Sequence, residues 1–257
     1  MKFRWLLLVL LGLLFITETT QAQARRKYKP KKRATSSKTK QTDNTVIGFR
    51  VGGTAAGVNI NENEFPVTGD YQFFPGLQGG LIINIAKNDT FSIQPEVLFT
   101  QKGYHIEGIY NDSSGSPLPD SYLKVRNQYI EVPVLAKLAV GNSAVQFVVN
   151  GGPYLGYWLN SKIEQRTAAG DSSYTLKFES RPVTEAPQVR VEPRRLELGG
   201  VVGTGIKTIT PRGTFTFDLR YHFSITDSNK YSSDRPENLS KVRNKYFSAS
   251  VGYILRN

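Results

Sequence analysis

Hydrophobic and polar positions alternate along residues 129–140, which read Y-I-E-V-P-V-L-A-K-L-A-V. This period of two predicts a β-strand with one wholly apolar face and one face that carries Tyr129, Glu131 and Lys137. Pro133 lacks an amide hydrogen and lies on the polar face, so we expect a bulge or a missing hydrogen bond there.

Seven further segments show the same alternation, and the connections between the eight segments are long and short in turn. Sorting of loops by length, with an even number of strands, is typical of outer-membrane barrels. We therefore predict an all-β fold for residues 45–257: an eight-stranded antiparallel transmembrane up-and-down β-barrel with its apolar faces toward lipid. A soluble β-sandwich is the alternative, although it has no reason to sort its loops by end. The predicted strands are residues 46–59, 74–85, 90–106, 122–140, 144–160, 194–207, 214–224 and 242–255.

Residues 1–24 have the pattern of a secretory signal peptide. Lys2 and Arg4 precede an apolar run over residues 5–16, and small residues allow cleavage after Ala22 or Ala24. The apolar run is short for an uncleaved membrane anchor, which needs about 20 residues. The chain has no cysteine, which excludes both disulfides and a lipid-bearing N-terminal cysteine.

The formal charge of +12 is concentrated in residues 25–44, which follow the predicted signal peptide. We predict a disordered basic periplasmic arm there, because the segment has few apolar residues to bury. Such an arm is either solvated without a partner or in contact with an anionic periplasmic partner, for example lipid phosphates or an acidic protein surface. Nucleic acid is not an expected partner of an exported chain. The arm's cations are Arg25, Arg26, Lys27, Lys29, Lys31, Lys32, Arg33, Lys38 and Lys40.

Charged residues also occur at predicted inward positions of the barrel. Eight strands enclose a space that side chains fill, so we expect a plugged lumen and no general diffusion pore. Buried charges must pair, which predicts an internal ion-pair network with a structural role, drawing on Arg50, Glu96, Glu131, Lys137, Asp218 and Arg220. A gated ion path through this network is the alternative. Arg195, Glu197 and Lys207 complete the inward charged set.

Candidate chemistry is sparse. His105 and His222 are the two histidines, and both could face one rim of the barrel, as in a lipid hydrolase. Nothing in their spacing requires catalysis, so we expect no catalytic residues, no cofactor and no metal site. Residues 161–193 form the longest predicted loop, which either binds an extracellular ligand or is solvated without a partner.

Four segments resemble the PorT-like outer-membrane β-barrel domain, often labelled "porin family". They begin at Phe91 (FSIQPEVLF), Tyr129 (YIEVPVLAK), Gly152 (GPYLGY) and Phe247 (FSASVGY), and the match runs in order over residues 46–255. The resemblance implies a barrel in the outer membrane of a Gram-negative bacterium and carries no catalytic motif. The namesake member of the family acts in protein secretion.

The end of the chain departs from the common pattern of a terminal aromatic residue, since it reads Tyr253-Ile-Leu-Arg-Asn. Recognition by the barrel-assembly machinery is therefore expected at Tyr253 or Leu255. An even number of strands places both termini in the periplasm. The expected role is structural or binding, without catalysis. The alternatives are an accessory component of protein secretion or envelope assembly and, third, a lipid-modifying enzyme.

Overall fold

The computed structural model describes residues 44–59, 70–108, 110, 116, 118, 120–142, 144–182, 190–232 and 241–255. The predicted signal peptide and nearly all of the predicted basic arm lie outside these residues. Gln41–Asn257 form one compact unit. Within its described part the secondary structure is entirely β, and no described segment is an apolar helix of membrane-spanning length.

Eight long strands form a closed antiparallel ring. Each pairs with the next long strand along the chain, and the last pairs with the first, from Gly48 opposite Ile254 to Asn59 opposite Arg243. The predicted eight-stranded antiparallel barrel is confirmed. Its strands are β1 (Asn44–Asn59), β2 (Asp70–Ala86), β3 (Phe91–Glu107), β4 (Tyr122–Gly141), β5 (Val145–Thr167), β9 (Leu196–Thr210), β10 (Gly213–Ser224) and β12 (Arg243–Leu255).

Four short strands lie in the longer connections. β6 (Gly170–Thr175) folds back on the end of β5 as a hairpin. β7 (Arg181–Pro182), β8 (Arg190–Pro193) and β11 (Asn229–Tyr231) form a separate three-stranded sheet. The predicted loop over residues 161–193 was therefore too long, because β5 continues to Thr167.

Alternation along the strands separates an apolar outer wall from a polar lumen. On β1, Phe49 and Val51 are exposed while Arg50 between them is fully buried. Val51 lies opposite Val251 on β12, so apolar side chains continue from strand to strand around the wall. A surface this apolar is suited to lipid. The exposed side chains of the wall include Leu77, Leu81, Val97, Val134, Leu138, Phe147, Leu155, Leu198, Ile206, Phe217 and Leu219.

The two ends of the barrel differ. Short connections at residues 87–90, 142–144 and 211–212 define a turn end, where β1 begins and β12 finishes: Asn44 lies opposite Ala86, and Leu255 lies opposite Gly213. The long connections share the other end, the loop end. The predicted order of long and short connections is thus present.

A bulge lies in β5 and not at Pro133. Gln128 pairs with Asn160 and Tyr129 pairs with Trp158, which leaves Leu159 as the extra residue. Pro133 stays in register opposite Tyr154, so of the two expectations for this position, a bulge or a missing hydrogen bond, the bulge is absent. Toward β3, Val134 pairs with Pro95 and Glu131 pairs with Leu98, and no pair is assigned between them. This interruption of the ladder agrees with the missing amide donor of Pro133.

Candidate functional site in the barrel lumen

The lumen contains two charged clusters at different heights. The one nearer the turn end, called here the arginine layer, consists of Arg50, Glu96, Asp218 and Arg220. Arg220 donates from Nη1 and Nη2 to the two carboxylate oxygens of Glu96, at 2.9 and 3.0 Å. Arg50 Nη2 lies 2.9 Å from Asp218 Oδ2 and 3.4 Å from Glu96 Oε1. Two cations thus balance two anions, which allows all four to be buried.

Neutral groups complete the arginine layer. Ser250 accepts a hydrogen bond from Arg50 at 2.9 Å, and Asn150 donates to Asp218 at 3.2 Å. Gln94 donates to Glu96 and accepts from Lys137 Nζ at 3.1 Å. Gly203 leaves space for this packing, since a Cβ there would lie 2.7 Å from Arg220 Cγ.

The second cluster, called the lysine layer, lies nearer the loop end and consists of Lys102, Glu131 and Glu197. Lys102 Nζ lies 2.8 Å from Glu131 Oε1 and 2.5 Å from Glu197 Oε1. It also lies 3.8 Å from the centre of the Tyr129 ring, a cation–π distance. One cation therefore faces two carboxylates.

Hydroxyl and amide donors share the excess negative charge of the lysine layer. Tyr246 donates its hydroxyl to Glu131, and Tyr154 donates to Glu197 at 2.6 Å. Asn244 donates from Nδ2 to the other oxygen of Glu197 at 2.5 Å. These bonds give each carboxylate several donors, which buried carboxylates require.

Aromatic rings close the lumen above the lysine layer. Tyr129 stacks on Trp158, with ring centres 5.7 Å apart. Phe178 packs edge-on against Trp158, with ring centres 5.1 Å apart. His222 is fully buried at the height of the lysine layer, stacked on Tyr246 with ring centres 4.1 Å apart. The described side chains therefore fill the lumen at three consecutive levels.

The structure divides the predicted network into these two layers. Arg50, Glu96, Asp218 and Arg220 lie together, but Glu131 pairs with Lys102 in the other layer. Lys137 and Glu131 are six residues apart on β4, about 20 Å along an extended strand, so the residues named for the internal network are distributed over the height of the lumen.

The three remaining charges that were predicted to point inward lie in different environments. Glu197 points inward, as its alternation predicts, and is buried in the lysine layer. Lys207 is only partly buried, near the turn end. Arg195, predicted inward, is exposed: it precedes β9, and its guanidinium lies 4.0 Å from the Phe178 ring centre. That inward assignment was wrong because the strand alternation does not yet apply at Arg195.

Lys102 is the main site residue that sequence reasoning missed. Its even position continues the inward face of Glu96 and Thr100 on β3, so the signal was present. Tyr246, Tyr154 and Asn244 could be placed inward by the same rule. Their contacts with the carboxylates depend on the relative heights of distant strands, which no local pattern reports.

The two histidines do not share a rim. His222 Nε2 is 3.4 Å from the Ser248 hydroxyl, inside the lumen. His105 lies near the loop end, half-buried, with its ring 5.9 Å from that of Tyr122 and its Nε2 3.9 Å from Glu107. The described residues contain no group of three or more His, Asp or Glu side chains suited to a metal ion.

Outside the apolar wall, the β5–β6 hairpin carries its own ion pairs. Arg166 donates two hydrogen bonds to Asp171, at 2.6 and 2.9 Å. These bonds and the positive charge of Arg166 hold the pKa of Asp171 below its usual range. The same bonds and the negative charge of Asp171 raise the pKa of Arg166. The hydrogen bond from Lys162 likewise lowers the pKa of Glu164. The hairpin is therefore polar and ordered by charge pairs.

Several solved outer-membrane proteins are similar to this chain at low sequence identity and low TM-score. The attachment invasion locus protein Ail of Yersinia pestis is 12% identical, with a TM-score of 0.39 over 83% of this chain and 100% of Ail. OprG of Pseudomonas aeruginosa is 11% identical (TM-score 0.43; 84% and 98% covered), and the protease OmpT of Escherichia coli is 10% identical (0.42; 83% and 98%). At these values the likenesses carry no information on binding or catalysis.

Among curated proteins no relative matches the chain. A family model, in contrast, matches residues 21–230, which is most of the sequence. Its description is "Outer membrane protein beta-barrel domain", in agreement with the closed ring and apolar wall. The chain belongs to this family of outer-membrane β-barrel domains.

Proposed function

We propose that this protein is a closed barrel with a structural or binding role in the outer membrane, and that it is neither a channel nor an enzyme. The observation that carries the proposal is the plugged lumen. The arginine layer, the lysine layer and the aromatic rings above them occupy successive heights, and their charges are paired side chain to side chain. An eight-stranded barrel has no room for a second path around such a plug.

The orientation follows from loop length. In outer-membrane barrels the short turns face the periplasm and the long connections face outward. We therefore propose that Asn44 and Leu255, at the turn end, lie on the periplasmic side. The chain of residues 25–44 would then be periplasmic, where its nine cations suit an anionic partner.

The outward-facing surface is the part best suited to a binding role. β5 continues beyond the apolar wall to Thr167 and is extended by β6, whose residues are all exposed. The end of β5 and β6 thus offer an ordered, solvent-exposed hairpin beside the separate small sheet of β7, β8 and β11. We propose that an extracellular ligand, if the protein has one, contacts this surface.

Conductance across planar lipid bilayers tests the plug. The refolded wild-type chain should insert without stepwise current at moderate voltage, because no continuous water path crosses the two layers. A matched variant, Arg220→Ala with Glu96→Ala, removes one ion pair of the arginine layer and leaves Arg50 paired with Asp218. The double variant should admit stepwise current if the arginine layer is part of the barrier, whereas stepwise openings in the wild type would contradict the proposal.

An accessory role in protein secretion or envelope assembly is the second candidate, supported by the PorT-like segments. Those segments supply Gln94, Glu96, Glu131, Tyr154 and Ser250, all of which line the plug. Deletion of the gene tests the role, with cargo in the culture medium as readout. Restoration by the full chain but not by a chain lacking residues 25–40 would assign the role to the arm.

A lipid-modifying activity is the third candidate. His222 is the histidine in the lumen, but it is buried and stacked on Tyr246, away from the apolar wall. Unaltered lipid A and phospholipid in a His222→Ala strain is the expected result. Altered lipids in that strain would overturn the non-enzymatic proposal.

A further inference from the structure

A cavity of about 500 Å³ occupies the turn end of the lumen, below the arginine layer. We call it the vestibule. Its lining combines inward residues of several strands with Asp89 from a turn. Lys137 on β4 and Lys207 on β9 both border it, and Asn84, Ser92 and Thr216 add amide and hydroxyl groups.

Neither lysine of the vestibule has a counter-ion in contact within the described part of the chain. Lys137 is only 5% exposed, and its one hydrogen-bond partner there is the neutral amide oxygen of Gln94, at 3.1 Å. Lys207 makes no ion pair within 4.0 Å with a described carboxylate; Asp89 acts on it only from a greater distance. The vestibule therefore has two ammonium groups and one acid at its edge.

The carboxylates of the arginine layer are already engaged. Asp218 attracts Lys137 through space, but its oxygens are held by Arg50 at 2.9 Å and by Asn150 at 3.2 Å. Glu96 is held by both arginines. A buried ammonium such as that of Lys137 is disfavoured without an anion in contact, so a mobile anion from solution is its natural partner. Lys207, partly buried at the same cavity, supplies a second positive charge for that anion.

We propose that the vestibule binds a phosphate-type oxyanion between Lys137 and Lys207. Lysine binds phosphate as a point charge, and a phosphate group has enough oxygens to accept from both ammonium groups and from the hydroxyls of Ser92 and Thr216. The cavity volume of about 500 Å³ is large enough for a phosphate group together with a small substituent or water. The site lies at the opposite end of the barrel from the long connections, and it does not depend on an extracellular ligand.

The test uses the full chain refolded in non-ionic detergent, with inorganic phosphate as the probe and chloride at equal ionic strength as the comparison. Isothermal titration should show saturable phosphate binding. Lys137→Gln and Lys207→Gln should each weaken it by roughly tenfold or more, since each removes a charge-assisted hydrogen bond. Lys230→Gln, on β11 at the loop end, removes an equal charge elsewhere and should leave the affinity unchanged.

A second arm identifies the source of the phosphate group. Phosphatidic acid in the micelles should compete with inorganic phosphate if a lipid headgroup enters the vestibule, and should not compete if free phosphate is the ligand. Heat-modified gel migration establishes that each variant is folded, and neither lysine substitution should lower the transition temperature in chloride. Binding that equals that of chloride, or that survives the Lys137→Gln/Lys207→Gln double variant, would overturn the proposal.

Discussion

Arg220 on β10 donates two hydrogen bonds, at 2.9 and 3.0 Å, to the carboxylate of Glu96 on β3. Three strands separate β3 from β10 in either direction around the ring, so this pair joins opposite walls of the barrel. Its geometry is bidentate, which fixes direction as well as distance. The ion pair therefore ties opposite walls of the barrel together at this height.

Loss of one member of this pair should be costly. Glu96→Gln leaves Arg220 and Arg50 with a single full carboxylate between them, and breaking a buried pair typically costs about 3 to 5 kcal/mol. Urea unfolding in detergent or lipid measures the change. The double variant Glu96→Leu/Arg220→Met leaves no unpaired charge, because Arg50 and Asp218 remain together, and should lose less. If the double variant lost as much free energy of unfolding as the single variants Glu96→Leu and Arg220→Met lost together, the pairing would be refuted.

The lysine layer predicts an order of effects. Lys102→Met leaves Glu131 and Glu197 without their shared cation and should destabilise the barrel most. Glu131→Gln restores a one-to-one pair between Lys102 and Glu197 and keeps an acceptor for Tyr246, so we expect a smaller loss of about 1 to 3 kcal/mol. Heat-modified gel migration ranks the two variants. Unchanged heat stability of Glu131→Gln would count against the network.

The apolar wall predicts a penalty that depends on membrane position. Val51 is 61% exposed near the middle of β1, and an arginine on a lipid-facing strand costs about 2 to 4 kcal/mol at the bilayer midplane. Val51→Arg should therefore reduce stability and insertion. Tyr174→Arg introduces the same side chain at an exposed site of β6 and serves as the control. If both variants were as stable as the wild type, the wall would not face lipid.

The β5–β6 hairpin predicts a pH dependence. The hydrogen bonds from Arg166 hold the pKa of Asp171 below its ordinary value of about 3.9. A lowered pKa in the folded state means that the pair stabilises the hairpin above that ordinary value, and that the contribution disappears as the pH falls through the lowered pKa. NMR titration of the Asp171 carboxyl carbon measures it. In Arg166→Gln the titration of Asp171 should return to the ordinary range; an unchanged midpoint would exclude the ion pair as its cause.

Alternation alone predicted which face of each long strand is buried. Arg50, Glu96, Glu131 and Asp218 were placed inward from a period of two, and each is buried. The rule succeeds because the side-chain period of a strand is fixed by backbone geometry and does not depend on what the strand packs against. The inward prediction for Arg195 was wrong because this residue lies just before β9, and the rule applies only within a strand.

The partners of these residues were not predictable in the same way. Whether Glu96 meets Arg220 or Lys137 depends on the stagger of strands that are far apart in sequence. That stagger is set by the sum of the individual registers around the ring, and each register is a tertiary property. The extension of β5 beyond Asn160 was missed because the bulge at Leu159 reverses the alternation, and a reversed pattern resembles the end of a strand.

The bulge at Leu159 has a consequence for how the protein could be altered. Below it, even-numbered residues of β5 such as Trp158 face the lumen; just above it, Ser161 is the buried residue. One inserted residue thus separates a segment whose faces are dictated by lipid from one whose faces are dictated by water. Removing Leu159 would therefore leave Trp158 and Ser161 on the lumen side with a single outward residue between them, so the outer hairpin and the membrane wall would both keep their faces and only the bulge at their boundary would be lost.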